Sequence, residues 1–406
     1  MNMHSNPSKS NDDLKFLDDD LLTITHQGED YDNFYGAVVP PMFMNSLHVF
    51  KSYEEFASFT PFVEDSYIYG RIANPTVIIA EKKIALLENG ARAAIFSSGM
   101  AAATAAVMAT CKAGSHIICI RNAYSPLRRF IDTYCVTKLK MSVTYVTGQD
   151  LSEFEAAIKP ETSLMILESP ATFVFTVTDL QGLACIAKKH GIKTYIDNSY
   201  CTPIFQKPLD LGIDISMHTL SKYLGGHSDI IGGVLVSKDD ELMRKIISEM
   251  REWYGGIIGP MEAWLLIRSM RTLIVRLMQH QETATEVAYF LENHPNVKKV
   301  NYTGLKSHPQ AELIAKQQTG HTGLLSFLLD APPESAVKFI NALEIMSIGV
   351  SWGGFESLAV APLYNAATEE LDFLSLRNSR GLIRLHCGLE GTANIIEDIK
   401  QALEKV

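Results

Sequence analysis

Cysteine is scarce in this chain and never paired at close spacing. Six occur among 406 residues (Cys111, Cys119, Cys135, Cys185, Cys201 and Cys387), none in a CxxC unit and most within apolar runs. This speaks against the disulfide frameworks of small secreted domains and against zinc modules. It fits reduced thiols in a cytoplasmic protein. The twelve histidines show no HxxxH spacing either, so no metal site is expected. Positive charge is also short, with 36 Lys and Arg against 46 Asp and Glu, a net charge of −10 and no long basic block. Nucleic acids and acidic membrane surfaces both demand a positive footprint, so neither is an expected partner. Long hydrophobic runs are missing too. The most apolar window, Ile95 to Cys111, is alanine-rich and interrupted by Ser97, Ser98, Gly99 and Thr104, which suits a buried helix and not a membrane span. The start of the chain carries Asn11-Asp12-Asp13 and Asp18-Asp19-Asp20 where a secretory signal would need a basic start and an apolar centre.

What is present is an ordinary globular composition, 47% apolar and 20% charged, in a chain long enough for two or three domains. Residues 1–68 mix Pro40, Pro41 and Pro61 with aromatic and polar residues at little periodicity, as an arm wrapping over a surface would. From about residue 75, short apolar runs alternate with helical stretches. Strands are predicted at Ala94–Phe96, His116–Ile120, Ser142–Val146, Ser163–Leu167, Lys193–Ile196, Ile213–Met217 and Ile231–Val236, with a helix at Leu180–His190. Strand and helix in alternation imply an α/β fold with a mostly parallel sheet covered on both faces. Past residue 268 the pattern changes to helices at Thr272–Leu291 and Glu334–Leu343 and strands at Gly323–Leu329 and Gly381–Cys387. A last helix is expected behind an N-cap at Thr392. This reads as a smaller α+β domain. The division is therefore 1–68 as an arm, 69–268 as a large domain and 269–406 as a small one.

In a doubly wound sheet, ligands collect at the carboxyl ends of strands. Glu168, Asp197 and the turn Thr219-Leu220-Ser221-Lys222 all fall at such ends. Ser97-Ser98-Gly99-Met100 joins a strand to an alanine-rich helix, where small residues let backbone N–H groups approach a phosphate. Such a turn is common and carries little alone. Asp197 is either a turn or cap aspartate or the partner of a protonated pyridine nitrogen. Lys222 follows an apolar strand, and an unpaired ammonium is costly to bury there. Conversion to an imine removes that difficulty, whereas an ordinary loop lysine would explain neither the hydroxyls nor the glycines around it.

Taken in order, these segments resemble the Cys/Met metabolism family of pyridoxal 5′-phosphate (PLP) enzymes, from about Gly36 to the C-terminus. The motifs that carry the resemblance are Tyr69-Gly70-Arg71 with Asn74-Pro75-Thr76; Ser97 to Met100; Glu168-Ser169-Pro170; Asp197-Asn198; and Ser221 to Asp229. Toward the C-terminus they are Ser351-Trp352-Gly353-Gly354-Phe355-Glu356-Ser357-Leu358 and Ile383 to Glu390. The resemblance implies PLP fold type I, of the aspartate aminotransferase kind, and a shared-site homotetramer arranged as a dimer of dimers. It implies that Lys222 holds the cofactor as an imine and that Gly99, Met100, Thr219 and Ser221 hold the phosphate. Tyr69 and Arg71 would complete that phosphate site in a neighbouring subunit. Tyr124 would stack on the ring and take part in proton transfer, and Asp197 would pair with the ring nitrogen. Arg384 would bind the substrate carboxylate, with Ser351, Trp352 and Val350 shaping the substrate side. From their residue types alone, Tyr124 and Trp352 would be core aromatics.

Three departures bear on the reaction. Tyr124-Ser125-Pro126 stands where members often have Tyr-Gly-Gly. Thr172-Phe173 stands where many have Asn-Pro, and Val350 stands where several have an acidic residue. The first two departures and Ser351-Trp352-Gly353-Gly354 are similar to bacterial cystathionine β-lyases, and the expected activity is β-elimination of cystathionine or a related cysteine conjugate to pyruvate, ammonia and a thiol. Val350 keeps γ-elimination or γ-replacement open as the alternative. A transaminase and a non-catalytic PLP-binding protein are the remaining, weaker readings.

Overall fold

The computed structural model describes residues 11–60 and 66–406, with side chains from residue 19 onward. Pro61 and the first ten residues of the expected arm lie outside the described residues. Seven strands form one sheet: β1 (Arg92–Phe96), β2 (His116–Ile120), β3 (Ser142–Val146), β4 (Thr162–Glu168), β5 (Lys193–Asp197), β6 (Ile215–Thr219) and β7 (Gly233–Ser237). Their order is β1-β7-β6-β5-β4-β2-β3. β3, β2, β4, β5 and β6 pair in parallel, and β7 runs antiparallel to both of its neighbours.

The strand sequences explain why this sheet is central. β2 and β7 are buried at all five positions, as strands covered on both faces must be. Alternate residues of β1 feed two apolar layers. Ala94 and Phe96 join the core with the helix Gly99–Thr110, and Ala93 and Ile95 join the core with Ile84 and Leu87 of the helix Pro75–Leu87. Helix starts are set by side chains that accept otherwise unpaired N–H groups. Ser98 Oγ accepts from Ala101 N at 3.0 Å, and Asn74 Oδ1 accepts from Thr76 N at 2.9 Å ahead of Pro75.

A second sheet has the order β10-β11-β12-β9-β8. Its strands are β8 (Val297–Asn301), β9 (Leu324–Leu329), β10 (Ser347–Ile348), β11 (Leu358–Val360) and β12 (Leu382–His386). The helices Leu273–Glu292, Glu334–Ala342 and Thr392–Leu403 supply the rest of its core, through Val287, Leu291, Phe339, Ile395 and Ile399.

Two details differ from the sequence reading. Thr392 is the first residue of the last helix and not its cap. Gly391 occupies the cap position without a side-chain bond, and Thr392 Oγ1 meets Thr283 Oγ1 at 2.8 Å, so the hydroxyl joins two helices. The acidic N-terminal stretch also contains a helix, Asn11–His26. Ile24 anchors it by packing fully buried with Val77, Ile79 and Ala80, and Lys83 Nζ donates to the Thr23 and Ile24 carbonyls at its C-terminal end. All six cysteines are free thiols; Cys119, Cys135, Cys201 and Cys387 are buried, but Cys185 is exposed.

Candidate active site

The ends of β4, β5 and β6 bring Glu168, Asp197 and Thr219 to one edge of the large sheet, with Glu168 and Asp197 in register as neighbours. Three residues beyond β6, Lys222 donates from Nζ to Ser351 Oγ at 2.6 Å and lies 5.2 Å from the centre of the Trp352 ring. A lysine of the large-sheet segment thus meets the loop that precedes β11. Burial, with the nearby Arg384 charge adding to it, lowers the Lys222 pKa to about 8. A substantial neutral fraction near pH 7–8 is what a nucleophilic or basic amine needs.

Glycine makes this meeting possible. Gly353 sits at φ +83°, and a Cβ there would lie 2.7 Å from Tyr223 N and 2.9 Å from the Lys222 carbonyl carbon. The loop bearing Ser351 can approach the Lys222 backbone this closely only without a side chain. Arg384, on β12, donates from Nη2 to the Val350 carbonyl at 2.6 Å and the Ser351 carbonyl at 3.4 Å. Its partners among the described residues are main-chain oxygens, which leaves the rest of the guanidinium fork for a carboxylate. Burial lowers its pKa to about 10, so it stays cationic at neutral pH.

Asp197 Oδ1 accepts from Ser199 N at 3.0 Å. Burial raises its pKa, while the Ser199 bonds and the His218 and Lys222 charges pull the other way. Glu168 Oε2 accepts from Tyr124 N at 2.8 Å, so the half-exposed Tyr124 ring is tied to the end of β4. Burial and then the Asp197 charge push the Glu168 pKa up to about 8.

The start of the helix Gly99–Thr110 lies against the end of β6. A Cβ on Gly99 would come within 3.1 Å of Thr219 Oγ1, and one on Gly233 within 2.5 Å of the Ser98 carbonyl. Ser221 Oγ accepts from Gly232 N at 3.3 Å, and Thr219 Oγ1 donates to the Gly232 carbonyl at 3.3 Å. Gly99, Met100, Thr219 and Ser221 are therefore gathered at one helix N-terminus, a natural place for a phosphate.

Tyr69 and Arg71 are not brought into this group. Arg71 Nη1 bonds to the Glu252 carbonyl at 3.2 Å and pairs with Glu252 Oε1 at 3.3 Å, with its guanidinium 5.6 Å from the Tyr69 ring centre. Val350 contributes its carbonyl to Arg384, and its side chain faces outward at 83% exposure.

The sequence reading missed a buried aromatic group behind Lys222. Tyr223 lies 5.4 Å from His280, 5.6 Å from Trp352 and 5.8 Å from His386, and its hydroxyl accepts from Gly323 N at 2.9 Å. His386 was findable. It lies two residues after Arg384 on β12, so the two-residue period of a strand sends both side chains to one face. It bonds the Gly354 carbonyl at 3.0 Å, and burial holds its pKa down at about 4.

This set fits PLP on the chain's own geometry. Burial lowers the pKa of the Lys222 amine and so raises its neutral fraction, the carboxyl of Asp197 stands at a strand end, and a small-residue cradle opens a helix. The comparisons agree. The family described as "Cys/Met metabolism PLP-dependent enzyme" matches residues 22–404. The L-methionine gamma-lyase of Porphyromonas gingivalis is 37% identical over 379 residues, covering 92% of this chain and 94% of that protein. The cystathionine beta-lyase MetC of Bacillus subtilis is 34% identical over 385 residues, covering 94% and 96%. The crystal structure of metB from Corynebacterium glutamicum superposes with a TM-score of 0.88 at 32% identity, covering 95% of this chain and 97% of that one. With its type I fold and this site, the chain belongs to the Cys/Met metabolism PLP-dependent enzymes, a family of carbon–sulfur lyases and synthases.

Proposed function

We propose that the chain is a carbon–sulfur lyase that eliminates a thiol from Cβ of a cysteine conjugate, with cystathionine as the leading substrate. One observation carries this reading. A lysine amine whose pKa burial has lowered and an arginine with free donors are held by the same short loop, through Ser351 Oγ on one side and the Val350 and Ser351 carbonyls on the other.

When bound, the cofactor supplies an aldehyde that captures the substrate amine and a ring that accepts the electron pair released at Cα. The chain's residues do the rest. Arg384 takes the substrate α-carboxylate and so fixes where Cα lies. Ser351 orients Lys222 Nζ, which removes the Cα proton as general base. Asp197 holds a proton on the ring nitrogen. Gly99, Met100, Thr219 and Ser221 bind the phosphate. Trp352 covers the lysine, and Lys222 or Tyr124 returns a proton to the departing sulfur.

A second reading, γ-elimination, is favoured by Val350, whose exposed apolar side chain replaces an acid at the rim. It is also supported by the similarity to L-methionine gamma-lyase. The test is to give the PLP-loaded protein cystathionine and identify the keto acid by mass spectrometry. Pyruvate with homocysteine supports the β-reading. 2-Oxobutyrate with cysteine overturns it in favour of γ-elimination, and absence of any keto acid overturns cystathionine as substrate.

The assembly is part of the proposal. Tyr35, Val38, Met44, Val49 and Tyr53 of the arm, and Trp253 beside Glu252, are all exposed. A homotetramer built as a dimer of dimers would cover such a surface and carry Tyr69 and Arg71 to a neighbour's phosphate site. In this scheme 69–268 is the cofactor domain, 269–406 the small domain and 1–68 the arm. Cytoplasmic residence is proposed on the same footing; among the described residues no helix is long and apolar enough to cross a membrane.

A further inference from the structure

One peptide unit sets the aim of Tyr124, and it is gripped at both ends. The Ala123 carbonyl and the Tyr124 N–H belong to the same planar peptide, so holding both fixes the plane from which Tyr124 departs. Tyr124 N donates to Glu168 Oε2 at 2.8 Å, at the end of β4. The Ala123 carbonyl accepts from Arg128 Nε at 3.2 Å. Arg128 lies on the short helix Ser125–Phe130, which Tyr124 precedes as N-cap without a side-chain bond. The Tyr124 ring itself is half-exposed. Its direction is therefore set through the main chain.

Arg128 is buried, and its own anchor comes from the other half of the chain. The helix Thr368–Phe373 lies between β11 and β12 of the smaller sheet. Its Glu370 Oε1 accepts from Arg128 Nη2 at 2.7 Å, and the Arg128 guanidinium carbon lies 5.1 Å from the centre of the Phe373 ring. Tyr145 of β3 meets that same ring edge-on at 5.0 Å. Asp132 stands only four residues after Arg128, but its carboxylate accepts from the Tyr145 hydroxyl at 2.8 Å. The ion pair of Arg128 runs instead to Glu370. A buried guanidinium left without an anion is costly, so Glu370 stabilises Arg128 in the place from which it reaches Ala123. We infer that Arg128 is a positioning residue for Tyr124. Glu370 and Phe373 hold its guanidinium on one side and its Nε holds the Ala123 carbonyl on the other, so the Tyr124 ring is aimed by both halves of the chain. The inference rests on the PLP reading of the site and on Tyr124 stacking over the cofactor ring.

The test reads cofactor binding and not turnover. PLP is titrated into cofactor-free protein and followed by absorbance, for wild type, Arg128→Met, Glu370→Gln and Tyr124→Ala, and for the two pairings with Tyr124→Ala. Tyr124→Ala is expected to weaken binding about fivefold through the lost aromatic stack. Arg128→Met fills the space without the charge and leaves the half-exposed Glu370 carboxylate to water. It should weaken binding about threefold when Tyr124 is present, and should add nothing once Tyr124 is alanine, because residues that act through one group are not additive. Glu370→Gln should act in the same direction with a smaller loss, again only when Tyr124 is present. Equal losses with and without Tyr124 overturn the inference, since Arg128 would then be a structural residue only. No loss in Arg128→Met overturns it as well, and so does Tyr124→Ala protein that binds PLP as wild type does. If Arg128→Met fails to fold, Glu370→Gln decides by the same comparison: a loss confined to the Tyr124 background supports the inference, and an absent or equal loss overturns it. Wild-type protein that takes up no PLP overturns the reading of the whole site, whereas wild type that loads PLP with additive variants overturns only this step.

Discussion

Arg384 and Arg71 are held in opposite ways. Arg384 lies on the central strand of the smaller sheet, half-buried, and its guanidinium bonds only main-chain oxygens among the described residues. Arg71 lies outside both sheets, exposed, and shares a surface ion pair with Glu252. A half-buried cation without a counter-ion is costly unless a ligand anion is its partner, so its placement points to a receptor. An exposed pair is worth only about 0–1 kcal/mol, so Arg71 can exchange Glu252 for another anion at small cost. Within one chain, the proposed substrate end of the site is assembled. The cation proposed for a neighbour's phosphate end is present, but it is paired with Glu252.

Removing the group that both ends serve is the strongest way to break this comparison. Lys222→Ala is expected to lower turnover by at least about 10³-fold and to abolish the absorbance of the lysine-bound cofactor. Retained turnover in a stopped assay with loaded protein would contradict the assignment. The native lysine also makes a pH prediction. Neutral amine is the reacting form, and burial has lowered its pKa to about 8. Cofactor uptake by cofactor-free protein should therefore accelerate by about tenfold per pH unit below that value and level off above it. A rate still climbing steeply toward pH 10 would indicate an unperturbed lysine.

Arg384→Lys comes next. It keeps the charge but loses the planar fork, and should cost on the order of 10²-fold in kcat/KM, mostly through KM, with cofactor affinity unchanged. An unchanged KM would move the carboxylate anchor elsewhere. The smallest effect belongs to Arg71→Ala. Chain stability measured by denaturant melting should change by less than about 1 kcal/mol, while cofactor retention in the assembled oligomer weakens. Equal retention in mutant and wild type would remove Arg71 from the shared phosphate site.

Much of the large sheet was legible because doubly covered parallel strands are short apolar runs. His116–Ile120 and Ser142–Val146 were placed to the residue. The smaller sheet was harder to read. β8 is Val-Lys-Lys-Val-Asn with its lysines exposed, and β10 and β11 span two and three residues, too short to show any period. Lys222, Ser351 and Arg384 could be picked out as candidates because each sits in a long motif, and Asp197 because it ends an apolar strand. The helix Asn11–His26 was not legible. Leu14, Leu17, Leu21 and Ile24 do stand at helical spacing, but the acidic runs between them read as a polar arm; Ile24 packing on the helix Pro75–Leu87 anchors the helix.

By itself, the sequence determined the class of fold, the cofactor and the residues at the strand ends, because local apolar period and motif spacing act within short stretches of chain. Only the tertiary structure decided that Ser351 meets Lys222 across 129 positions, with Gly353 closing the gap. It also decided that Glu168 lies beside Asp197 and that Arg71 turns to Glu252. Those pairings depend on distances between segments far apart in sequence, which packing sets and no local pattern records.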